Sequence, residues 1–229
     1  MKTNVKAVTK STDGIKASRG AVVCLVSGGI DSPVATWLMI KKGLTPICAY
    51  FDNAPYADET TKRRAVEAVE KLRQYASTPI RLYTVRHGTN LKQIMERCPR
   101  NLTCVLCKRT MYRISEKIAL ENGAEAIVTG EIIGEHASQT LRNLRVETEA
   151  LSRVTILRPL AGMNKTEVES LARKIGTFDV SALPAQCCTC PPKQPRTRAK
   201  FEEIAAAEAK LDIETMVRRS FEGASILLV

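Results

Sequence analysis

Six consecutive residues, Ser27-Gly28-Gly29-Ile30-Asp31-Ser32, are of types and spacing that suit phosphate chemistry. Adjacent glycines let a backbone turn without steric cost and aim several N–H groups at one anion. An apolar run precedes the loop and a helical pattern follows it, so the positive end of a helix adds to the same point. Ser27 and Ser32 can donate hydroxyl hydrogen bonds to phosphate, and Asp31 can hold a magnesium ion (Mg2+) on it. The loop lacks the Gly-Lys-Ser/Thr ending of a Walker loop and the G-x-G-x-x-G of a dinucleotide fold. It therefore suits the pyrophosphate of ATP held as a leaving group. A plainer reading has Asp31 and Ser32 capping the helix, and both can hold at once.

The second candidate chemistry is that of thiols. The chain has eight cysteines and no secretory signal, which argues against a disulfide scaffold and for thiol or metal chemistry in a reducing compartment. Cys24 and Cys48 lie in apolar strand-like runs and read as inert core residues. Cys104-Val105-Leu106-Cys107 is a C-x-x-C at a helix start, a place that favours thiolate over thiol. Cys187-Cys188-Thr189-Cys190 lies far along the chain in a proline-rich stretch, so the fold must bring the two groups together. Cys98 is near the first pair but off spacing and reads as a bystander.

The elements that must position these groups alternate. Apolar, β-rich runs at Ala21–Val26, Thr45–Phe51, Ile80–Val85, Ala126–Thr129 and Val154–Leu157 are strands. The first helix begins at Pro33 and stops at Gly43. Others run near Asp58–Tyr75, from about Cys104 to Asn122, and from Asn164, where Glu167 stands at capping-box spacing, to just before Gly176. This alternation predicts an α/β fold, a Rossmann-like, doubly wound, mainly parallel five-stranded sheet of PP-loop type, with ligands at the carboxyl ends of its strands. Residues 1–19 read as a mobile basic arm, 20–200 as the PP-loop domain and 201–229 as a helical C-terminal extension. Residues 181–200 break the pattern as a loop crossing a site or a linker. The apolar tail Ile226–Val229 has no assigned role.

Composition bounds the partners. The formal charge of +11 draws the chain toward a polyanion such as RNA. Basic residues are dense at Lys62-Arg63-Arg64, at Arg142, Arg145, Arg153 and Arg158, and from Lys193 to Lys200. No apolar run approaches the ~18 residues of a membrane span, so a cytoplasmic protein with no membrane partner is expected. His87 and His136 read as ordinary residues.

The string Leu25-Val26-Ser27-Gly28-Gly29-Ile30-Asp31-Ser32-Pro33-Val34-Ala35 resembles the PP-loop of the ThiI-type tRNA sulfurtransferases, the tRNA 4-thiouridine synthetases. Further blocks extend the likeness in the same order. They are Cys107-Lys108-Arg109-Thr110-Met111-Tyr112-Arg113-Ile114, Thr129-Gly130-Glu131 with Gly134 and Ala137-Ser138-Gln139-Thr140, Arg158-Pro159-Leu160 with Gly162-Met163 and Lys165, and Cys187-Cys188-Thr189 with Pro192-Lys193. The resemblance covers roughly residues 20–200.

It implies adenylation of a uridine carbonyl oxygen by ATP, release of pyrophosphate, and replacement of the adenylate by sulfur. By position it implies that Leu25, Val26, Tyr50, Phe51, Lys108, Gly130 and Gln139 line the ATP site with the loop. Lys108 would offer a mobile cation, Gly130 would let the nucleotide approach the backbone, and Gln139 would read a base edge. Core packing is the alternative for Tyr50 and Phe51. Asp31, Cys107 and Cys188 are the implied catalytic residues. The resemblance also brings the two cysteine blocks together. Cys104, Cys107 and Cys188 would then hold a [4Fe-4S] or [3Fe-4S] cluster with one iron open to sulfide; persulfide chemistry and a stapling zinc are the alternatives, with Cys187 and Cys190 as substitutes for Cys188. Family members carry an N-terminal THUMP region and some a C-terminal rhodanese domain. Neither pattern is found here, so tRNA capture is expected to use a separate THUMP-type RNA-binding partner, and sulfur to come from sulfide or a persulfide donor. Asp52-Asn53 also differ from the family's histidine and serine. A homodimer is left open. Sulfur transfer for thiamine thiazole synthesis, or a nitrogen-adding PP-loop enzyme with structural zinc, are the competing functions.

Overall fold

A computed structural model describes residues 20–186 and 188–229, so the basic arm at 1–19 and Cys187 lie outside the described residues. Strands β1 (Ala21–Val26), β2 (Thr45–Asp52), β3 (Arg81–Arg86), β4 (Ala124–Val128), β5 (Thr155–Leu157) and β6 (Ser225–Leu228) form one sheet in the order β5-β4-β1-β2-β3-β6. The first five are mutually parallel, with Cys24 opposite Cys48 on one side of β1 and Val128 on the other. β6 adds an antiparallel edge against β3, from Ser225 opposite Thr84 to Leu228 opposite Arg81. The expected five-stranded sheet therefore has six strands, the sixth coming from the apolar tail.

β1 leaves for β2 on one side, and the chain later returns to place β4 on the other. Between β1 and β4 lies the point where strand order reverses, where open α/β sheets hold their ligands. Val26, Asp52 and Val128 all end on that rim.

Both faces of the sheet are covered. On one, α1 (Asp31–Lys41), α2 (Glu59–Arg73) and α6 (Lys165–Lys174) bury Val34, Trp37, Val69, Leu72 and Val168 against β1 and β2 residues. On the other, α4 (Thr103–Glu121) and α9 (Ile213–Glu222) pack Ile114, Ile118, Val217 and Phe221 over Val23, Ile47, Tyr83 and Ile127. α3 (Gly88–Arg97), α5 (Leu141–Thr148), α7 (Phe178–Ala182) and α8 (Phe201–Glu208) complete the set. The helix near 164 carries the expected capping box of Asn164 and Glu167. α1 differs from expectation, for no side chain caps it, and its first N–H groups stay open. Among the described residues no helix is long and apolar enough to cross a membrane.

α8 is clamped to α4 by charge. Glu208 receives both Arg109, at 2.8 and 2.9 Å, and Arg113, at 2.6 and 2.9 Å. Burial opposes the Glu208 charge, yet the two guanidinium groups hold its carboxyl down to about 2. A depressed carboxyl contributes stability above its unfolded value, so that contribution is lost as pH falls from about 4.5 to about 2. Glu208→Gln strands the buried Arg109 and should cost about 3 kcal/mol in urea unfolding at neutral pH. The same variant should lose stability less steeply than the wild type over that acid range.

Candidate functional site

The glycine loop leaves β1 and closes on itself. The Ser27 N–H donates to Ser32 Oγ at 3.0 Å, and the two hydroxyl oxygens are 3.3 Å apart. Gly28 has φ +73°, and a Cβ there would stand 2.5 Å from the Thr61 carbonyl oxygen on α2. A Cβ on Gly130, past the end of β4, would stand 2.8 Å from the Ser32 nitrogen. Gly130 thus permits the close approach of the loop after β4 to the start of α1. Asp31 is ion-paired with Lys165, Nζ to Oδ1 being 2.6 Å. Neither Asp31 nor Ser32 caps α1, since Asp31 turns to Lys165 and Ser32 to Ser27.

The loop divides a cleft. One lobe, of about 250 Å³, is lined by Val26, Tyr50, Phe51, Asn53, Arg64 and Cys188. The other, of about 270 Å³, is lined by Leu25, Asp31, Lys108, Gly130, Glu131, His136 and Gln139. Ser27, Gly29 and Met111 border both. Of the residues expected to line the ATP site, each falls on one lobe or in the loop between them. Tyr50 and Phe51 also belong to the two cores, so packing and lining hold together. Tyr50 is held by a 2.9 Å hydrogen bond between its hydroxyl and that of Thr61. Arg64, which the sequence groups with a basic surface, is buried, donates to the Ser181 carbonyl oxygen and leaves its Nε without a partner.

The distant cysteine segment is fastened across this cleft. Asp58 Oδ2 accepts from the Gln186 N–H at 2.9 Å, and the Thr189 N–H donates to the Tyr56 carbonyl at 2.9 Å. Cys104, Cys107, Cys188 and Cys190 are thereby close enough to repel one another as thiolates. Burial, then the neighbouring thiols, push Cys104 and Cys107 up, and burial with Cys188 takes Cys190 to about 12. Burial and the neighbouring thiols thus act against the thiolate that a helix start would favour at Cys104 and Cys107. His87 Nε2 lies 3.3 Å from Cys107 Sγ, with Asn90 Nδ2 3.2 Å from Nδ1. Burial lowers His87 to about 4, so it is neutral, and the ring that sequence reasoning treats as ordinary touches the thiol group. Cys98 instead donates to the Ala207 carbonyl, and Cys24, fully buried, is raised by burial to about 12.

Four converging thiols are a thiophilic donor set, and their mutual repulsion is what a cation among them relieves. In donor chemistry the residues therefore fit iron or zinc. As they stand, no three His, Cys, Asp or Glu side chains among the described residues form a metal-ligating group, so the side chains would have to close further.

Lys108 is no free cation. Its Nζ is 2.5 Å from Glu131 Oε1 and 3.6 Å from Glu147 Oε2, the second too long for a hydrogen bond. Glu131 also accepts from Arg158 Nε at 2.7 Å, Tyr112 at 3.1 Å and Thr129 at 2.9 Å. Burial opposes the Glu131 charge, but Lys108 and Arg158 hold it below the usual carboxylate range. Glu147 has neither oxygen hydrogen-bonded, and burial pushes it up to about 8 against the pull of Lys108. Lys165, Glu131, Glu147, Arg158, Arg64 and His87 are site residues that sequence reasoning missed. Only the block positions of Lys165, Glu131 and Arg158 could have signalled them.

A parallel sheet whose first strand feeds an uncapped helix through a two-glycine loop at the switch point defines a PP-loop α/β domain. A model of the family described as thiamine biosynthesis protein (ThiI) matches residues 17–213, and the chain belongs to that family. It is 41% identical over 211 residues to a probable tRNA sulfurtransferase of Methanosarcina mazei, covering 92% of this chain and 52% of that protein. It is also 41% identical over 203 residues to a probable tRNA sulfurtransferase of Caldanaerobacter subterraneus subsp. tengcongensis, covering 87% and 53%. The chain spans about half the length of these curated relatives. A crystal structure of a 4-thiouridine synthetase–RNA complex with bound ATP matches with a TM-score of 0.88 and 34% identity, over 92% of this chain and 55% of that one. The NMN synthetase of Francisella tularensis shares the fold, at a TM-score of 0.55 and 14% identity over 90% and 84% of the two chains.

Glu147 supplies a test of the buried charges. A carboxyl raised on folding is stable as the acid, so its contribution falls as pH climbs from about 4.5 to about 8. Glu147→Gln copies the protonated form and should match wild-type stability near pH 5, then exceed it at pH 8 to 9 in denaturant titrations. Parallel curves at both ends of that range would show that Glu147 ionises normally.

Proposed function

We propose that this chain is the catalytic domain of an ATP-dependent tRNA sulfurtransferase, which adenylates a uridine carbonyl oxygen and replaces it with sulfur to give 4-thiouridine. The observation that carries the reading is that Cys188 lines the same divided cleft as the glycine loop. A nitrogen-adding enzyme needs the loop but leaves that thiol group without a task.

ATP lies over the loop, with its phosphates on the open N–H groups of α1 and the hydroxyls of Ser27 and Ser32. Asp31, whose direction is set by Lys165, is the carboxylate that would hold a magnesium ion, which would neutralise phosphate charge. The uridine oxygen attacks the α-phosphorus, and the bond to pyrophosphate breaks while the fixed N–H groups hold the departing charge. Sulfide sulfur then bonds to the activated ring carbon, and AMP leaves with the former carbonyl oxygen. A [4Fe-4S] or [3Fe-4S] cluster on Cys104, Cys107 and Cys188 would supply an iron that binds sulfide, whereas zinc there would only fasten the loop. Neutral His87 keeps its Nε2–H toward Cys107, because Nδ1 accepts from Asn90. tRNA capture is assigned to a THUMP-type module working with this domain, in the cytoplasm. The family's description as a thiamine biosynthesis protein supports a second reading, in which the same sulfur feeds a thiazole.

Incubation of unmodified tRNA with ATP, magnesium and sulfide under anaerobic conditions, followed by mass spectrometry of nucleosides, should give 4-thiouridine. Asp31→Ala should lower pyrophosphate release at least about 100-fold. Cys188→Ala should keep pyrophosphate release and lose the thiolated product. Equal thiolation by either variant contradicts the scheme. Iron analysis and visible absorption of anaerobically reconstituted protein separate cluster from zinc.

A further inference from the structure

Asn143, fully buried in the first turn of α5, ties residues 196–199 to that helix. Its Nδ2 donates to the carbonyl of Arg196 at 2.7 Å and of Ala137 at 2.9 Å, and its Oδ1 accepts from the Ala199 N–H at 3.0 Å. Thr140 Oγ1 adds a bond to the Thr197 carbonyl at 2.6 Å. The buried amide is a device for joining two stretches of chain whose outward side chains are cationic. Arg142 and Arg145 come from α5, and Lys193, Arg196, Arg198 and Lys200 from the segment, all exposed.

The nearby carboxylates are Glu149, Glu202 and Glu203, fewer than the cations they face. Arg145 is paired with Glu149 at 3.5 Å and Arg196 with Glu203, whereas Arg142, Lys193 and Arg198 form no ion pair among the described residues. Between α5 and the start of α8 this face opens into a groove of about 430 Å³, lined by Arg142, Arg145, Lys200 and Phe201 with Glu149 and Glu202 beside them. Phe201 is 52% exposed. A lone apolar side chain at a surface is ordinary. A half-exposed ring beside Arg142 and Lys200, with Arg198 on the adjoining segment, is instead the pairing of stacking platform and phosphate contacts that holds single-stranded nucleic acid.

Both borders of the face lead to the cleft. The loop that carries Gly130, His136 and Gln139 along one lobe runs directly into α5 at Thr140. The segment that ends at Lys200 begins at Cys188 in the other lobe. We infer that this groove is the RNA-docking surface of the domain, with phosphates on Arg142, Arg198 and Lys200 and a base stacked on Phe201. The inference deepens the tRNA reading above and rests on it for the identity of the substrate.

Fluorescence anisotropy with an unmodified tRNA transcript and a single-stranded oligoribonucleotide, repeated across salt concentrations, tests the surface. The double variant Arg142→Ala/Arg198→Ala should bind about tenfold more weakly near 0.1 M salt, and the slope of log affinity against log salt should shrink by about 1 to 2. Phe201→Ala should lose about fivefold or more, while Phe201→Tyr keeps wild-type affinity. ATP affinity and thermal midpoint should not move, since all three side chains are exposed and outside the cleft. RNA affinity and salt slope equal to wild type in the double variant would overturn the assignment. So would wild-type RNA binding joined to lost binding of polyglutamate, which would give the face to an acidic protein. The two readings fail separately: RNA losses with no 4-thiouridine from the wild type would sink the thiolation reading and keep the groove, and thiolation unchanged in the variants would do the reverse.

Discussion

Glu131 is the constraint on which the cleft depends. It is a buried carboxylate at the end of β4, and four donors from three parts of the chain close on it: Lys108 and Tyr112 of α4, Thr129 beside it, and Arg158 past β5. Removing one partner of such a group leaves a charge stranded, at a cost of about 3 to 5 kcal/mol. Lys108 adjoins Cys107, so the same network that closes this rim of the cleft fixes the helix bearing the first thiol pair. Glu147, with no hydrogen bond, keeps its proton near neutrality and so avoids a second unbalanced negative charge beside Lys108.

Backbone contact is the second constraint. Gly28 presses on α2, and Gly130 presses on the start of α1. Any side chain at either position would separate loops whose contact divides the cleft. The division matters chemically, because it leaves Ser27 and Gly29 exposed to both lobes. One loop thus borders two lobes whose walls differ in chemistry.

The legible parts of this molecule were those written locally. Buried parallel strands are continuous apolar runs, and the glycine loop and the Asn164 capping box each lie within a few residues, so they could be read directly. β6 could not, since four apolar residues at a chain end gain meaning only from pairing with β3, far away in sequence. α3 carries no side-chain cap and starts on a glycine, so no local signal marked it. At the site the same limit applied. Lys108 looked like a mobile cation because Glu131 and Glu147 are remote in sequence. Arg64 and Arg158 looked like surface charge because their partners, Ser181 and Glu131, are remote in sequence. The thiols at the start of α4 looked activated because the dipole is local while burial and Cys188 are not.

One side chain joins what the sequence separates most widely. Asp58 caps α2 through Oδ1, accepting from the Thr61 N–H at 3.2 Å, and holds the cysteine segment through Oδ2 at Gln186. The Thr61 carbonyl is the group against which Gly28 packs, and its hydroxyl holds Tyr50. The first turn of α2 therefore supports the phosphate loop, one wall of the cleft and the segment carrying Cys188 together. The glycine loop and the segment carrying Cys188, which lie more than 150 residues apart in the chain, are in this way referred to one support.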